Sequence, residues 1–339
     1  MSEHFALPGF VNAHSHAFQR AMRGRVEGGD FWAWRDAMLV EAAGLTPDRV
    51  RHFYADVFGE MLAAGYTAVG EFHYVGHRAA FAAIEAARQA QIELVLLYAA
   101  YARGGLRRFR QRSAVEYLRR LEELRATGAH IGLAPHSVRA CPPAWLEEIG
   151  RYAEREDLVV HVHADEQPRE IEECIAEHGC RPIELLARCG CLGPQTTIIH
   201  ATHASDGELD LLAETGARIC VCPTTEANLG DGFLPVERVL ERGIELCIGS
   251  DSNVRIDPFE ELRELEGIAR RRTLRRNLIP AEQLLVIGSE EGAASLGLEL
   301  WAGVEVDLGH RSLAGIAPDE VPAALVFGCA ADVIRWPSS

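Results

Sequence analysis

Four short segments set imidazoles and carboxylates at the ends of apolar runs. They are His14-Ser15-His16, His161-Val162-His163 followed by Asp165 and Glu166, His200 with His203, and Ser250-Asp251. Residues two apart on an extended strand point to one side, so His14 and His16 can reach the same ion. Hydrolysis by a metal-polarised water needs neutral imidazoles, at least one carboxylate and an open coordination position. His163 and Asp251 complete such a set, three imidazoles and one carboxylate without a thiolate. These donors favour one divalent ion, Zn2+ first, with Fe2+, Mn2+ and Co2+ compatible with the same atoms. No Lys stands at the end of the fourth expected strand to bridge a second metal. His161, one pleat repeat before His163, reads as a packing residue. A single His at a strand end is usually a satisfied polar group; four such ends in sequence are a stronger signal.

The elements that must hold these residues alternate along the chain. Strands are expected at Leu7–Asn12, Thr67–Phe72, Glu93–Ala99, Ile131–Ala134, Val159–Val162, Thr197–His200, Arg218–Cys222 and Glu245–Ile248. Helical periodicity covers Pro47–Ala64, Arg78–Gln91, Ala114–Ala126, Pro143–Glu154, Arg169–Glu177, Asp206–Thr215 and Leu234–Arg242, with another helix after Pro258. Strict alternation of this kind marks a parallel sheet. Eight units without a long interruption, and no Gly-rich dinucleotide fingerprint after the first strand, favour an α/β fold of the (β/α)8 TIM-barrel type. In that fold the catalytic groups project from the C-terminal ends of the strands, where the polar residues fall. Residues 1–300 are expected to form the barrel. A helix over Pro280–Leu298 continues past its eighth unit, and residues 301–339 are expected to pack on it as an appendage.

The 339 residues are 48% hydrophobic and carry a net charge of −16, which excludes intrinsic disorder and argues against nucleic acid or an anionic membrane as partner. Arg270–Arg276 is the one basic cluster and reads as a solvated helix face. No 18-residue apolar run and no signal-like N-terminus occur, so a cytoplasmic protein is expected. The nine cysteines are odd in number and contain no C-x-x-C, which suits reduced thiols. Cys220 and Cys222 could pair on a metal but read better as small buried apolar residues.

With the H-x-H pair, His163, His200 and Asp251 in place, the chain resembles the mononuclear deaminase branch of the amidohydrolase superfamily. Within it, the segments PGFVNAHSHAFQRAMRG (8–24), FWAWRDAM (31–38), HVHADEQ (161–167), TTEANLGDG (224–232) and GSDSN (249–253) are similar to the formimidoylglutamate deiminases, iminohydrolases of bacterial histidine degradation. The resemblance implies hydrolysis of N-formimino-L-glutamate to N-formyl-L-glutamate and ammonia. It implies His14, His16, His163 and Asp251 as metal ligands, with Glu166, His200 and Asp251 catalytic. It also implies Gln19, Arg35, Tyr101, His136 and Arg139 as substrate-binding. Chemistry makes these roles sensible: guanidinium forks suit the two carboxylates of a glutamate moiety, and Glu166 follows ligand His163 closely enough to meet the amidine nitrogen. His73, His203 and Glu226 could orient these groups, and residues 228–232 could form a pocket wall.

The chain departs from the family at Asn253, where His is usual, and over Arg255–Glu260, which bears on substrate identity. It also starts close to the first strand, so the family's accessory β-sandwich is expected to be absent or vestigial. The partner is a small amidine, and a homodimer is compatible with the family. Two other readings stand beside this one. One is a deaminase of another amidine, guanidine or nucleobase; the other is a catalytically silent barrel that binds a metabolite.

Overall fold

The computed structural model describes residues 4–299 and 302–336. Its first strand, β1 (His4–Pro8), is separated by Gly9 from β2 (Phe10–Ser15), so the single strand expected over Leu7–Asn12 is two. The break has a steric cause. A Cβ on Gly9 would lie 2.2 Å from the Thr67 side chain, and Pro8 has no N–H to offer a ladder.

From β2 onward the alternation holds. Strands β3 (Tyr66–His73), β4 (Glu93–Ala100), β5 (His130–Pro135), β6 (Val160–Ala164), β7 (Thr196–His200), β8 (Arg218–Val221) and β9 (Leu246–Ile248) follow β2 in spatial as in chain order. All pair in parallel. An isolated bridge, Ser15↔Asp251, brings the two ends of the sheet together, which gives the TIM-type (β/α)8 barrel.

The outer helices follow from amphipathic spacing. In Pro143–Glu156 the buried set Leu146, Ile149, Gly150 and Ala153 recurs at helical intervals. Each large apolar side chain so buried contributes about 1.5–3 kcal/mol. The expected helix over Pro280–Leu298 is broken at Ser289 into Ala281–Gly288 and Glu290–Ser295. Gly292 abuts β2 there, since a Cβ on it would stand 2.9 Å from Val11 Cβ. Among the described residues, four α-helices escaped the periodicity: Phe31–Ala43, Pro182–Arg188, Pro223–Leu229 and Val321–Gly328. The first has its apolar residues spread around the axis and starts on Asp30, which accepts from the Ala33 N–H at 2.9 Å.

Inside the barrel, Ala13, Ile199, Cys220, Cys222 and Cys247 form a small fully buried cluster. All nine cysteines are buried and free. The arginine cluster ends the helix Pro258–Thr273 and is paired with acids, Arg270 with Glu266 at 2.9 Å and Arg272 with Glu237 at 3.1 Å.

The tail supplies β10 (Gly303–Asp307) and β11 (Ile334–Arg335), which join β1 in a three-stranded antiparallel sheet. This sheet stands where the family's sandwich was expected to be vestigial. It takes its first strand from before the barrel, so residues 4–8 pair with the tail. The boundary expected at residues 300/301 falls outside the described residues. No helix among the described residues is long and apolar enough to cross a membrane.

Candidate metal centre and active site

His14, His16, His163 and Asp251 are buried and converge, each offering one ligand atom within 4.8 Å of the others. Asp251 Oδ1 lies 3.4 Å from both His14 Nε2 and His16 Nε2, and His163 Nε2 is 3.2 Å from His14 Nε2. Two of the rings are held from behind. His16 Nδ1 donates to the Phe72 carbonyl at 2.9 Å and His163 Nδ1 to the His136 carbonyl at 3.0 Å, which leaves both Nε2 lone pairs facing the centre. Burial disfavours charge on all three imidazoles: it lowers the His14 pKa to about 3, that of His16 below its ordinary value and that of His163 well below it. Neutral nitrogens aimed at one another around a carboxylate are a donor set that fits a divalent metal, as the spacing predicted.

The residues expected to handle protons stand beside this cluster. His200, at the end of β7, directs Nε2 toward Glu166 Oε1 at 3.6 Å and Asp251 Oδ2 at 3.9 Å. Behind it, Nδ1 meets Glu226 Oε1 at 3.2 Å. Burial works against a charge on His200, but Glu166, Glu226 and Asp251 around it raise its pKa to about 10. Glu166 is pushed up to about 7 by burial, with His200 and Arg139 opposing. A carboxyl poised there can hold and release a proton near neutrality. His200 (φ +74°) and Ala201 (φ +50°) are both left-handed without being glycine, strain of the kind held at functional sites.

A cavity of about 220 Å³ opens above the cluster, lined by His16, His163, Glu166, His200 and Asp251. Gln19, Arg35, Tyr101, His136 and Arg139 line the same cavity. Gln19 is oriented by Tyr74, to whose hydroxyl its Nε2 donates at 2.9 Å. Arg139 is half-buried beside two acids, Glu170 at 3.4 Å and Glu166 at 3.7 Å. Among the described residues Arg35 has no such acidic partner, and it lies over the Trp32 ring, 5.8 Å from its centroid.

Of the three orienting candidates, Glu226 is the one that touches a residue expected to be catalytic, His200. His73 turns to the Gly76 carbonyl at 3.2 Å, and His203 ties to the Asp231 carbonyl at 2.7 Å. His161 points away from the centre, to the Ser295 carbonyl at 2.8 Å. Leu229, from the segment expected as a pocket wall, lines the cavity at the end of the helix Pro223–Leu229. Trp32 is a lining residue that the sequence reading passed over, although Arg35 lies one helical turn on. Three guanidiniums surround it, those of Arg35, Arg139 and Arg169, the last at 4.3 Å. Asn253 and Arg255–Glu260 lie outside the cavity lining: Asn253 is fully buried, and Arg255 pairs with Glu260 at 2.7 Å.

A family model for amidohydrolases matches residues 5–305. The chain belongs to the amidohydrolase family. It is a hydrolase acting on C–N bonds. This amidohydrolase is similar to the formimidoylglutamate deiminase of Pseudomonas aeruginosa, 39% identical over 311 residues that cover 83% of this chain and 68% of the relative. It is also 30% identical to a 5-methylthioadenosine/S-adenosylhomocysteine deaminase of Haloarcula marismortui, over 95% of this chain and 76% of that one. Among solved structures, an amidohydrolase from Brucella melitensis superposes with a TM-score of 0.88 at 32% identity, covering 98% of this chain and 84% of that one. An adenosine deaminase from Xanthomonas campestris with bound zinc shares the fold, with a TM-score of 0.89 at 24% identity over 98% of this chain and 78% of that one.

Proposed function

We propose that this enzyme hydrolyses N-formimino-L-glutamate to N-formyl-L-glutamate and ammonia. The observation that carries this reading is one cavity with the metal cluster at its floor and the guanidiniums of Arg35 and Arg139 on its walls. Such a cavity suits a small substrate with an amidine at one end and carboxylates at the other. The likeness to the Pseudomonas aeruginosa deiminase supports the same substrate.

His14, His16, His163 and Asp251 would hold the metal, for which we propose Zn2+ on the donor set and on the zinc-bound Xanthomonas campestris structure. When bound, the ion lowers the pKa of a coordinated water toward about 7 and so supplies the nucleophile. His200 and Asp251 would orient a water at that ion, with the Asp251 carboxylate placed to take up its proton. Glu166, whose carboxyl titrates at about 7, pairs with the amidine nitrogen and protonates it as the C–N bond breaks. Water oxygen becomes the formyl oxygen and ammonia leaves. Arg35 and Arg139 orient the glutamate carboxylates, Arg139 exchanging part of its pairing with Glu166 and Glu170 for the substrate.

A second reading is favoured by Trp32 and Tyr101 in the same cavity, aromatic surfaces on which a purine could stack, and by the adenosyl-type deaminase relative. Ammonia release from N-formimino-L-glutamate, S-adenosylhomocysteine, 5-methylthioadenosine and guanine by metal-loaded protein separates the two. Turnover of N-formimino-L-glutamate at least about tenfold above the others in kcat/KM is expected. A purine substrate turned over faster overturns the proposal.

A further inference from the structure

The metal ligands come from opposite sides of a seam. His14 is on β2, the first strand of the barrel, and His16 directly follows it, whereas Asp251 follows β9, the last. The backbone joins β2 and β9 weakly there, by the isolated bridge with His16 N–H donating to the Asp251 carbonyl at 2.8 Å and Asp251 N–H to the His14 carbonyl at 3.0 Å. By contrast, β3 and β4 share six consecutive register pairs, Ala68–His73 with Glu93–Tyr98. The strand ends also meet closely: a Cβ on Gly249 would lie 2.7 Å from the His14 carbonyl oxygen. Asp251 itself is left-handed, with φ +43°. A metal tolerates only a few tenths of an ångström of error in its ligands, so something other than a ladder must fix this joint.

Side chains do so. Asn12 Nδ2 donates to Ser250 Oγ at 2.6 Å, and the Ser250 N–H returns to Asn12 Oδ1 at 3.0 Å. Ser250 Oγ passes its proton contact on to Asn253 Oδ1 at 2.6 Å. Asn253 Nδ2 donates to Ser15 Oγ at 3.1 Å and to the Asp251 carbonyl at 3.1 Å. Ser15 Oγ donates to Glu71 Oε2 at 2.8 Å, and Glu71 also accepts from the Ala17 N–H at 2.9 Å. Every hydroxyl in the chain gives one proton and takes one, so the direction is set throughout. All of these side chains are fully buried, out of reach of competing water.

We infer that Asn253 and Ser15 are positioning residues of the metal centre: they clasp the β2–β9 seam and thereby set the spacing between Asp251 and the His14/His16 pair. Asn253 suits this task twice over, since it tolerates its left-handed backbone (φ +56°) and offers both a donor and an acceptor on one short side chain. The inference rests on the metal cluster and is independent of which amidine is the substrate.

The test compares full-length Asn253→Ala, Ser15→Ala and Thr197→Val. Thr197 is a buried barrel threonine whose hydroxyl has no hydrogen-bond partner and which lies away from the seam. Zinc Kd is measured by chelator competition, the Co2+ d–d spectrum reports ligand geometry, and circular dichroism reports folding. In the two seam variants Kd should rise about 10- to 100-fold with an altered Co2+ spectrum, while Thr197→Val binds zinc as the parent does. If Asn253→Ala does not fold, Ser15→Ala, which removes one hydroxyl, decides. Seam variants that fold and keep the parental Kd and Co2+ spectrum overturn the inference. So does an equal loss of affinity in Thr197→Val, because the centre would then respond to any softening of the barrel.

Discussion

The two halves of the cavity are built differently. The metal half is strand-borne: its imidazoles sit at the ends of β2 and β6, fully buried, with two rings fixed by backbone carbonyls. The substrate half is borne by connections and by the helix Phe31–Ala43, where Trp32 and Arg35 are part-exposed, and Arg139 there is paired with acids. Chemistry is therefore anchored on buried strand ends, and selectivity lies on segments that can vary without disturbing them.

The largest expected effect strikes the metal half. Asp251→Ala removes a ligand and a proton acceptor together, and kcat/KM should fall on the order of 10⁴-fold with metal lost on gel filtration. Retained metal and activity would erase the distinction between the halves. Glu166 lies on their border. Glu166→Gln should lower kcat by about 10²- to 10⁴-fold while metal content measured by atomic emission stays at the parental level. Arg35→Ala probes the substrate half alone: KM for N-formimino-L-glutamate should rise roughly 10- to 100-fold, with kcat and Tm little changed, as loss of a charge-assisted contact predicts. A comparable fall in kcat would mean that Arg35 serves the chemistry.

The smallest effect concerns the frame beneath the metal half. Burial raises the Glu71 carboxyl from 4.5 to about 8, opposed by the Ala17 N–H, Ser15 and Tyr54. The folded protein thus keeps a proton that the unfolded chain releases, so this contribution to stability is complete below about pH 4.5 and is lost as pH rises toward about 8. Tm of the metal-free protein should decline across that window, and Glu71→Gln should flatten the decline. An unchanged slope in Glu71→Gln would show that another group carries it.

Much of the metal half was legible in the chain because it rests on local rules. Alternation along a strand puts His14 and His16 on one face, and the barrel fold names the strand ends as the place for chemistry; that His161 turns to the Ser295 carbonyl while His163 joins the centre is a tertiary contact that alternation does not give. The substrate half was legible only through resemblance, since nothing local says that Trp32 gathers three arginines or that Arg139 sits against Glu166 and Glu170. Asn253 shows the limit well. Its departure from the family pattern suggested a change in substrate recognition, whereas its side chain is buried between two strand ends and touches Ser15, 238 residues earlier.

The sequence by itself determined the α/β alternation, the donor set and the strand ends that carry it, because periodicity and alternation are properties of neighbours along the chain. Tertiary structure alone decided what depends on contacts between distant residues. Gly9 splits the first strand because Thr67 leaves no room for a side chain. Glu226 stands behind His200 because the helix Pro223–Leu229 returns over β7. The β2–β9 seam closes through buried amides and hydroxyls because one bridge cannot close it. Those contacts are made only when the chain has come full circle, and the metal centre is placed where it does.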